Sequence, residues 1–279
     1  MITFFSVLKP CEGRTGLAQA QAVRSWAALG APSDVLLLGD EHGVEDLAQA
    51  TGARWLPHVG RNANGTPLLD AAIRLAREAS ATPLLCLVNG DIVLDGRFAD
   101  AARILSAQLP RFLMVGQCLN LDVPDPLMTG STPAGELAAL AREHGTLRGH
   151  DYVDYFLFGR DLFVDVPPFA LGRAGFDNWL VWRARASRAA VVDASAFQLP
   201  VHQNHDYGHI AGGVAEAYRG DEAAENLRLA GGRLLSTLDS THRLAADGLR
   251  LDPLGRLRLR RRILHARMAA ARALGSAGR

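Results

Sequence analysis

Leu84-Leu85-Cys86-Leu87-Val88-Asn89-Gly90-Asp91 is an uninterrupted apolar run that ends abruptly in two polar residues flanking a glycine. A strand buried on both faces reads this way, whereas a strand with one wet face alternates. Asn89 and Asp91 need water, a cation or hydrogen bonds, so they are expected at the carboxyl end of a central strand, where open α/β sheets bind ligands. A tight turn there sets two oxygen-bearing side chains on one side, which suits a hard divalent cation that also holds a diphosphate. An ordinary strand-to-helix turn with Asp91 bonded to backbone fits the same residues, because Asn-Gly is a common turn dipeptide.

Working towards the start of the chain, Ile2 to Leu8 is apolar, rich in β-branched and aromatic residues, and broken by Lys9-Pro10, which predicts a first strand. Leu17, Ala20, Val23, Ala27 and Ala28 recur at helical spacing between Gly13 and Leu29, and Gly30-Ala31-Pro32 stops that helix. A strand over Val35 to Leu38, a helix over Val44 to Ala50 and a short strand over Arg54 to Val59 follow, then a loop from Arg61. Thr66 is expected as the cap and Pro67 as the first residue of a helix running to Ala79. This alternation argues a mostly parallel sheet flanked by helices.

Towards the other end, a helix over Asp95 to Ala107 and a strand over Phe112 to Gln117 extend the pattern. Asp122 to Gly149 is rich in proline and glycine around one short helix at Glu136 to Glu143, so it reads as an insertion over the sheet edge. Asp151 to Phe158 returns to strand chemistry, Asp177 to Ala186 reads as a helix carrying Trp179 and Trp182, and Ala190 to Val192 as the last short strand. The reading divides the chain into an α/β domain over 1–215 and a helical extension over 216–279.

Composition narrows the class. The chain has 279 residues, 48% hydrophobic and 21% charged, which suits one large self-folding domain plus an appendage. No apolar run approaches the roughly 18 residues of a membrane span, and Met1 to Leu8 lacks the form of a signal peptide, so a cytoplasmic location is the expectation. Cys11, Cys86 and Cys118 are odd in number and far apart, which excludes a disulfide framework and a zinc-finger spacing. The net charge of +1 hides an asymmetry: after Asp252 there are eight arginines and no acid, leaving +1 − 8 = −7 on the rest. Ile263, Leu264 and Met268 share one helical face there, so a basic amphipathic helix is expected, packed on the acidic body, on an acidic partner or on the inner face of a membrane.

Polar clusters fall where strands should end: Lys9, Asp40 with Glu41, Asn89 with Asp91, and Asp151 with Asp154. Asp40 either accepts a hydrogen bond from a nucleobase or ribose or caps the next helix. Gly172-Arg173-Ala174-Gly175-Phe176-Asp177-Asn178-Trp179 joins an arginine, an acid and an amide at a helix entrance. Asp177 there serves as a general base for a hydroxyl, as a helix cap, or as both, with Arg173 available to phosphate oxygens. His202-Gln203-Asn204-His205-Asp206-Tyr207-Gly208-His209 packs three imidazoles into a stretch without apolar periodicity, and one of them completes a metal shell at Asp91 or all lie in a hydrogen-bonded surface loop.

Together these stretches resemble the nucleotide-sugar glycosyltransferases of the GT-A fold over residues 1–215. Asn89-Gly90-Asp91-Ile92 looks like the family's Asp-x-Asp metal motif, with Asn89 standing where the motif has its first aspartate. The resemblance implies a Rossmann-like sheet, Mn2+ or Mg2+ held by Asp91, Asn89 and His205, and Asp177 as the catalytic carboxylate that binds or deprotonates the acceptor. It further implies a nucleoside-diphosphate sugar bound by Lys9, Asp40, Arg61 and Arg173. A hydroxyl acceptor, glycan or lipid-linked, would then meet Asp154, Asn178, Trp179 and His202. A non-catalytic sugar-nucleotide or glycan-binding protein and a nucleotidyltransferase are the alternatives; no nucleic-acid partner is expected.

Overall fold

The computed structural model describes residues 1–29, 34–204, 217–255 and 257–258. The Leu84 run is β4 (Leu84–Val88), and every one of its residues is buried. It pairs in parallel with β1 (Ile2–Val7), which pairs in parallel with β2 (Asp34–Leu38), and β2 with β3 (Arg54–Leu56). Alternate side chains of these strands go to opposite faces, so each face needs its own apolar cover. Phe4, Leu37 and Cys86 pack on one side with Trp26 of α1 (Gly13–Ala27), while Phe5, Leu36, Leu85 and Leu87 pack on the other with α3 (Leu69–Ala79). A strand flanked on both faces has no wet side, which is why the run is continuous rather than alternating. Between β2 and β3 lies α2 (Val44–Thr51).

After β4 come the two-residue β5 (Ile92–Val93), α4 (Gly96–Gln108) and β6 (Phe112–Val115). Asp95 caps α4, its side chain accepting from the Arg97 amide. Next are β7 (Leu119–Leu121), α5 (Ala134–His144), β8 (Thr146–Leu147), β9 (Tyr155–Gly159), α6 (Phe176–Ala186), β10 (Ala190–Asp193) and β11 (Val201–Gln203). The chain continues through α7 (Asp221–Ala230) to β12 (His242–Ala245) and β13 (Gly248–Leu251). The main sheet has the order β13-β12-β10-β6-β9-β4-β1-β2-β3, and a second sheet has the order β5-β11-β7-β8. Within the main sheet the pairing is parallel except where β9 runs against β4 and β6, and β13 against β12. Among the described residues no helix is long and apolar enough to cross a membrane.

Three expectations are corrected. Helix α3 starts at Leu69, not at Pro67, because Pro67 and Leu68 are held extended by bridges to Arg61 and Ala170, and the Leu68 amide donates to Gly60. β10 is not the last strand, and the residues after 216 are not an all-helical extension: β12 pairs in parallel with β10 and so continues the main sheet. The segment 122–149, expected as an insertion over the sheet edge around one short helix, packs that helix, α5, on a second sheet, where Leu137 and Ala141 share a core with Leu121 and Val201. The basic helix expected from Arg256 lies, apart from residues 257 and 258, outside the described residues.

Candidate active site

A cleft of about 620 Å³ opens at the carboxyl ends of β1 and β4, and Ser6 to Pro10 and Leu87 to Asp91 form much of its floor. The turn that presents Asp91 is fixed from several sides. The Asn89 amide donates to the Asp154 carbonyl and the Ile92 amide to the Asn89 carbonyl. Trp26 Nε1 donates to the Ile92 carbonyl at 2.8 Å, tying the turn to α1. Gly90 is required for space: a Cβ there would stand 2.7 Å from Leu8 Cδ2 and 3.1 Å from Gln19 Oε1. That same Gln19 accepts from the Lys9 amide and donates to the Lys9 carbonyl, so Lys9 is set in place by α1 as well.

Antiparallel pairing brings distant residues to Asp91. β11 runs against β5 with His202 opposite Ile92, and the Gln203 amide donates to the Asp91 carbonyl at 3.1 Å. His202 Nε2 therefore stands 4.0 Å from Asp91 Oδ1, while Lys9 Nζ stands 3.9 Å from Asp91 Oδ2. Because β9 runs opposite to β4, its start rather than its end reaches the cleft, and this delivers Asp154. Asn89 Nδ2 donates to Asp154 Oδ1 at 3.0 Å, and Arg148 Nε lies 3.2 Å from Asp154 Oδ2. Burial pushes the Asp154 carboxyl above its ordinary range, and Asp91 adds to this, while Arg148 and His202 oppose it.

Asp177, in the first turn of α6, lines the other wall of the cleft. Its Oδ1 is buried with no hydrogen-bond partner among the described residues. Burial raises its pKa from 3.8 to about 6; the nearby Asp154 adds to the rise, and backbone amides at the helix start pull it partly back. A carboxyl with this environment is poised to exchange a proton near neutral pH. Beside it, Arg173 Nη2 lies 2.8 Å from Glu222 Oε2, and the Glu222 carboxyl also receives Asn62. Burial raises the Glu222 pKa, but hydrogen bonds from Asn62 and Thr66 and the Arg173 charge outweigh it and hold the group below its ordinary value. α7 is docked for this role by Asn226, one turn after Glu222, which exchanges two hydrogen bonds of 2.9 Å with the Ala170 backbone.

Lys9, Asn89, Asp91, Asp154, Arg61, Arg173, Asp177 and His202, all singled out from the sequence, line this one cleft. Asn178 and Trp179 do not. Asn178 Nδ2 donates to the carbonyls of Asp151 and Leu235, and Trp179 is buried against Phe169 and Trp182, so both serve packing rather than an acceptor. Asp40 is also outside the cleft lining, with its side chain 68% exposed and paired to Arg61; the neighbouring Glu41 lines it instead, with Oε1 on Arg61 and Oε2 buried. His202 sits at Asp91 rather than on the acceptor side, and His205 lies outside the described residues. Sequence reasoning did not single out Arg148, Tyr152 and Glu222. Arg148 caps the Tyr152 ring at 4.8 Å, and the only local signal for it was an arginine six residues before Asp154. Among the described residues no three His, Cys, Asp or Glu side chains are grouped to hold a metal; Asp91 and His202 make two potential ligands.

No protein-family model matches the sequence. No curated protein matches it either. Solved structures do share its fold. Glucosyl-3-phosphoglycerate synthase from Mycobacterium tuberculosis is similar at a TM-score of 0.51 and 16% identity, over 84% of this chain and 80% of that one. A structure of the same enzyme with Mn2+, uridine-diphosphate-glucose and phosphoglyceric acid gives 0.50 and 16%, over 82% and 79% of the chains. One with Mn2+, uridine diphosphate and glucosyl-3-phosphoglycerate gives 0.50 and 16%, over 84% and 80%. The α/β architecture expected from the sequence is thus the GT-A architecture of these structures.

Proposed function

We propose that the chain is a glycosyltransferase that moves a sugar from a nucleoside diphosphate to a hydroxyl acceptor, with Mn2+ or Mg2+ as cofactor. The observation that carries this is Asp91, held by a rigid turn at the carboxyl end of β4 with Lys9 and His202 about it, in a fold shared with structures solved with Mn2+ and uridine diphosphate. A hard carboxylate and an imidazole suit a divalent cation, and two protein ligands suit one that also takes diphosphate oxygens rather than one caged by protein alone. When bound, the cation supplies positive charge to the departing diphosphate.

The chain's own residues divide the remaining work. Lys9 holds a phosphate oxygen as a point charge. Glu41 accepts from the nucleoside, and Arg61, salt-bridged to it, fixes its position. Arg148 and Asn89 hold the Asp154 carboxyl in place, so that it faces the sugar from the cleft wall. Asp177 receives the acceptor hydroxyl's hydrogen bond and takes its proton, for which a pKa of about 6 is well matched to neutral pH. α6 and α7 line this side of the cleft through Phe176, Asp177 and Glu222.

The test is nucleotide release from a panel of uridine and guanosine diphosphate sugars with neutral hydroxyl acceptors. Release that needs Mn2+ or Mg2+, stops with a chelator and leaves the sugar on the acceptor is the expected result. Metal-dependent binding without any release would instead make the chain a sugar-nucleotide-binding protein.

A further inference from the structure

Among the described residues, the half of the cleft around Asp154, Asp177 and Glu222 carries no surplus of Lys and Arg over carboxyl groups. Among the described residues lining the cleft, four basic side chains face five carboxyl groups. Arg173 is closed onto Glu222 at 2.8 Å, with side chains only 14% and 10% exposed. Arg148 is closed onto Asp154 at 3.2 Å. A diphosphate at Asp91 brings its own counter-charge in a divalent cation. An acceptor bearing a phosphate or carboxylate brings none, and would meet Asp154, Asp177 and Glu222 with Arg148 and Arg173 each already beside a carboxylate. Like charges brought together act as a filter against the wrong ligand.

We propose that the acceptor is an uncharged hydroxyl compound, a sugar or polyol, and that Glu222 determines this by neutralising Arg173. This rests on the transferase reading above. The Glu222 carboxyl also binds Asn62, so it joins the loop at 62, the loop at 173 and α7 into one wall, with Arg173 as its only charge partner among the described residues. Glu222→Gln keeps the shape and an acceptor for Asn62 but releases the guanidinium, which then offers an oxyanion the fork geometry that Arg presents.

The experiment is calorimetric titration of phosphoglyceric acid into the full chain, Glu222→Gln, and Glu222→Gln with Arg173→Gln, each with and without saturating uridine diphosphate and Mn2+. Thermal melts check that the variants fold. Glu222→Gln should tighten binding of the acid by about 10- to 100-fold over the unaltered chain, and the double variant should lose that gain. In turnover, glycerol or a methyl glycoside should speed nucleotide release by the unaltered chain while phosphoglyceric acid does not. Equal affinity of the unaltered chain and Glu222→Gln for the acid, or fastest release with the acid, would overturn the proposal. Absence of release with every acceptor, with the affinity gain intact, would count against the transferase reading and uphold exclusion of anions by Glu222.

Discussion

The two halves of the cleft hold their charges in different ways. Around Asp91 the opposite charges stand off, with Lys9 at 3.9 Å and His202 at 4.0 Å, beyond hydrogen-bonding distance. On the far side they are closed, Arg173 on Glu222 at 2.8 Å and Arg148 on Asp154 at 3.2 Å. Lys9 and His202, 3.9 and 4.0 Å from Asp91, leave room for a ligand atom between them, whereas a pair in contact leaves none. On the proposed reading the Asp91 half takes the charged ligand and the other half the uncharged one, with Asp177 as the group that acts on a proton.

The largest effect that would break this contrast belongs to Asp177. Asp177→Asn keeps the shape and removes the base, and transfer should fall by on the order of 10² to 10⁴, with donor affinity unchanged. In the unaltered chain the rate should drop as pH falls below about 6, where Asp177 takes up its proton, and the variant should lack that limb. Stability should move the other way. A carboxyl whose pKa is raised on folding holds its proton more tightly when folded. Its stabilising contribution is therefore present below about 4 and lost as pH rises to about 6. Asp177→Asn escapes the loss and should be more stable at pH 7 by about 2 to 3 kcal/mol, with no difference near pH 4. Equal stability at both pH values in chemical denaturation would mean that the carboxyl is not strained.

The next effect tests whether the closed pairs are truly closed. Arg148→Ala leaves the Asp154 carboxylate buried beside Asp91 with its cation gone, which should cost about 3 to 5 kcal/mol of stability in urea. A loss under 1 kcal/mol, the range of an exposed pair, would show that water reaches this half as well.

A smaller effect concerns Asn89, which stands where the resembled motif has an aspartate. Its amide donates to Asp154, so a carboxylate there would set two acids about 3 Å apart beside Asp91. Asn89→Asp should destabilise the chain by about 1 to 3 kcal/mol at neutral pH, with part of the loss restored by Mn2+. A variant as stable as the parent without metal would mean that the amide is not chosen for Asp154.

How far the sequence revealed these halves follows from where each residue's partners lie. The Asp91 half is built from β1 and β4 and the turn after them, and a continuous apolar run ending in polar residues states both its burial and its end. Lys9, Asn89 and Asp91 were therefore readable locally. His202 was noticed for its density of donors, but its place opposite Ile92 depends on an antiparallel pairing between segments about a hundred residues apart, which no local pattern encodes. The closed half depends still more on such pairings. Glu222 begins α7 as any acid might begin a helix, and only the docking of Asn226 on Ala170 turns it to Arg173. Trp179, which the resemblance implied would meet the acceptor, lies in the core against Phe169, where helical periodicity sends it. One missed feature was legible. Ala246-Asp247 is the two-residue connection between β12 and β13, and Gly248, with φ of 112°, opens β13 directly after it; Asp-Gly between apolar stretches is a hairpin signal.

The central claim is that the Asp91 half is completed by a divalent cation together with a diphosphate, and titration of uridine diphosphate and guanosine diphosphate into the full chain and into Asp91→Ala, with and without Mn2+, tests it most directly. One of the two nucleotides should bind the unaltered chain tightly only when Mn2+ is present, and Asp91→Ala, still folded by thermal melt, should lose the metal-dependent part. Equal Mn2+-dependent affinity in the unaltered chain and in Asp91→Ala would contradict it.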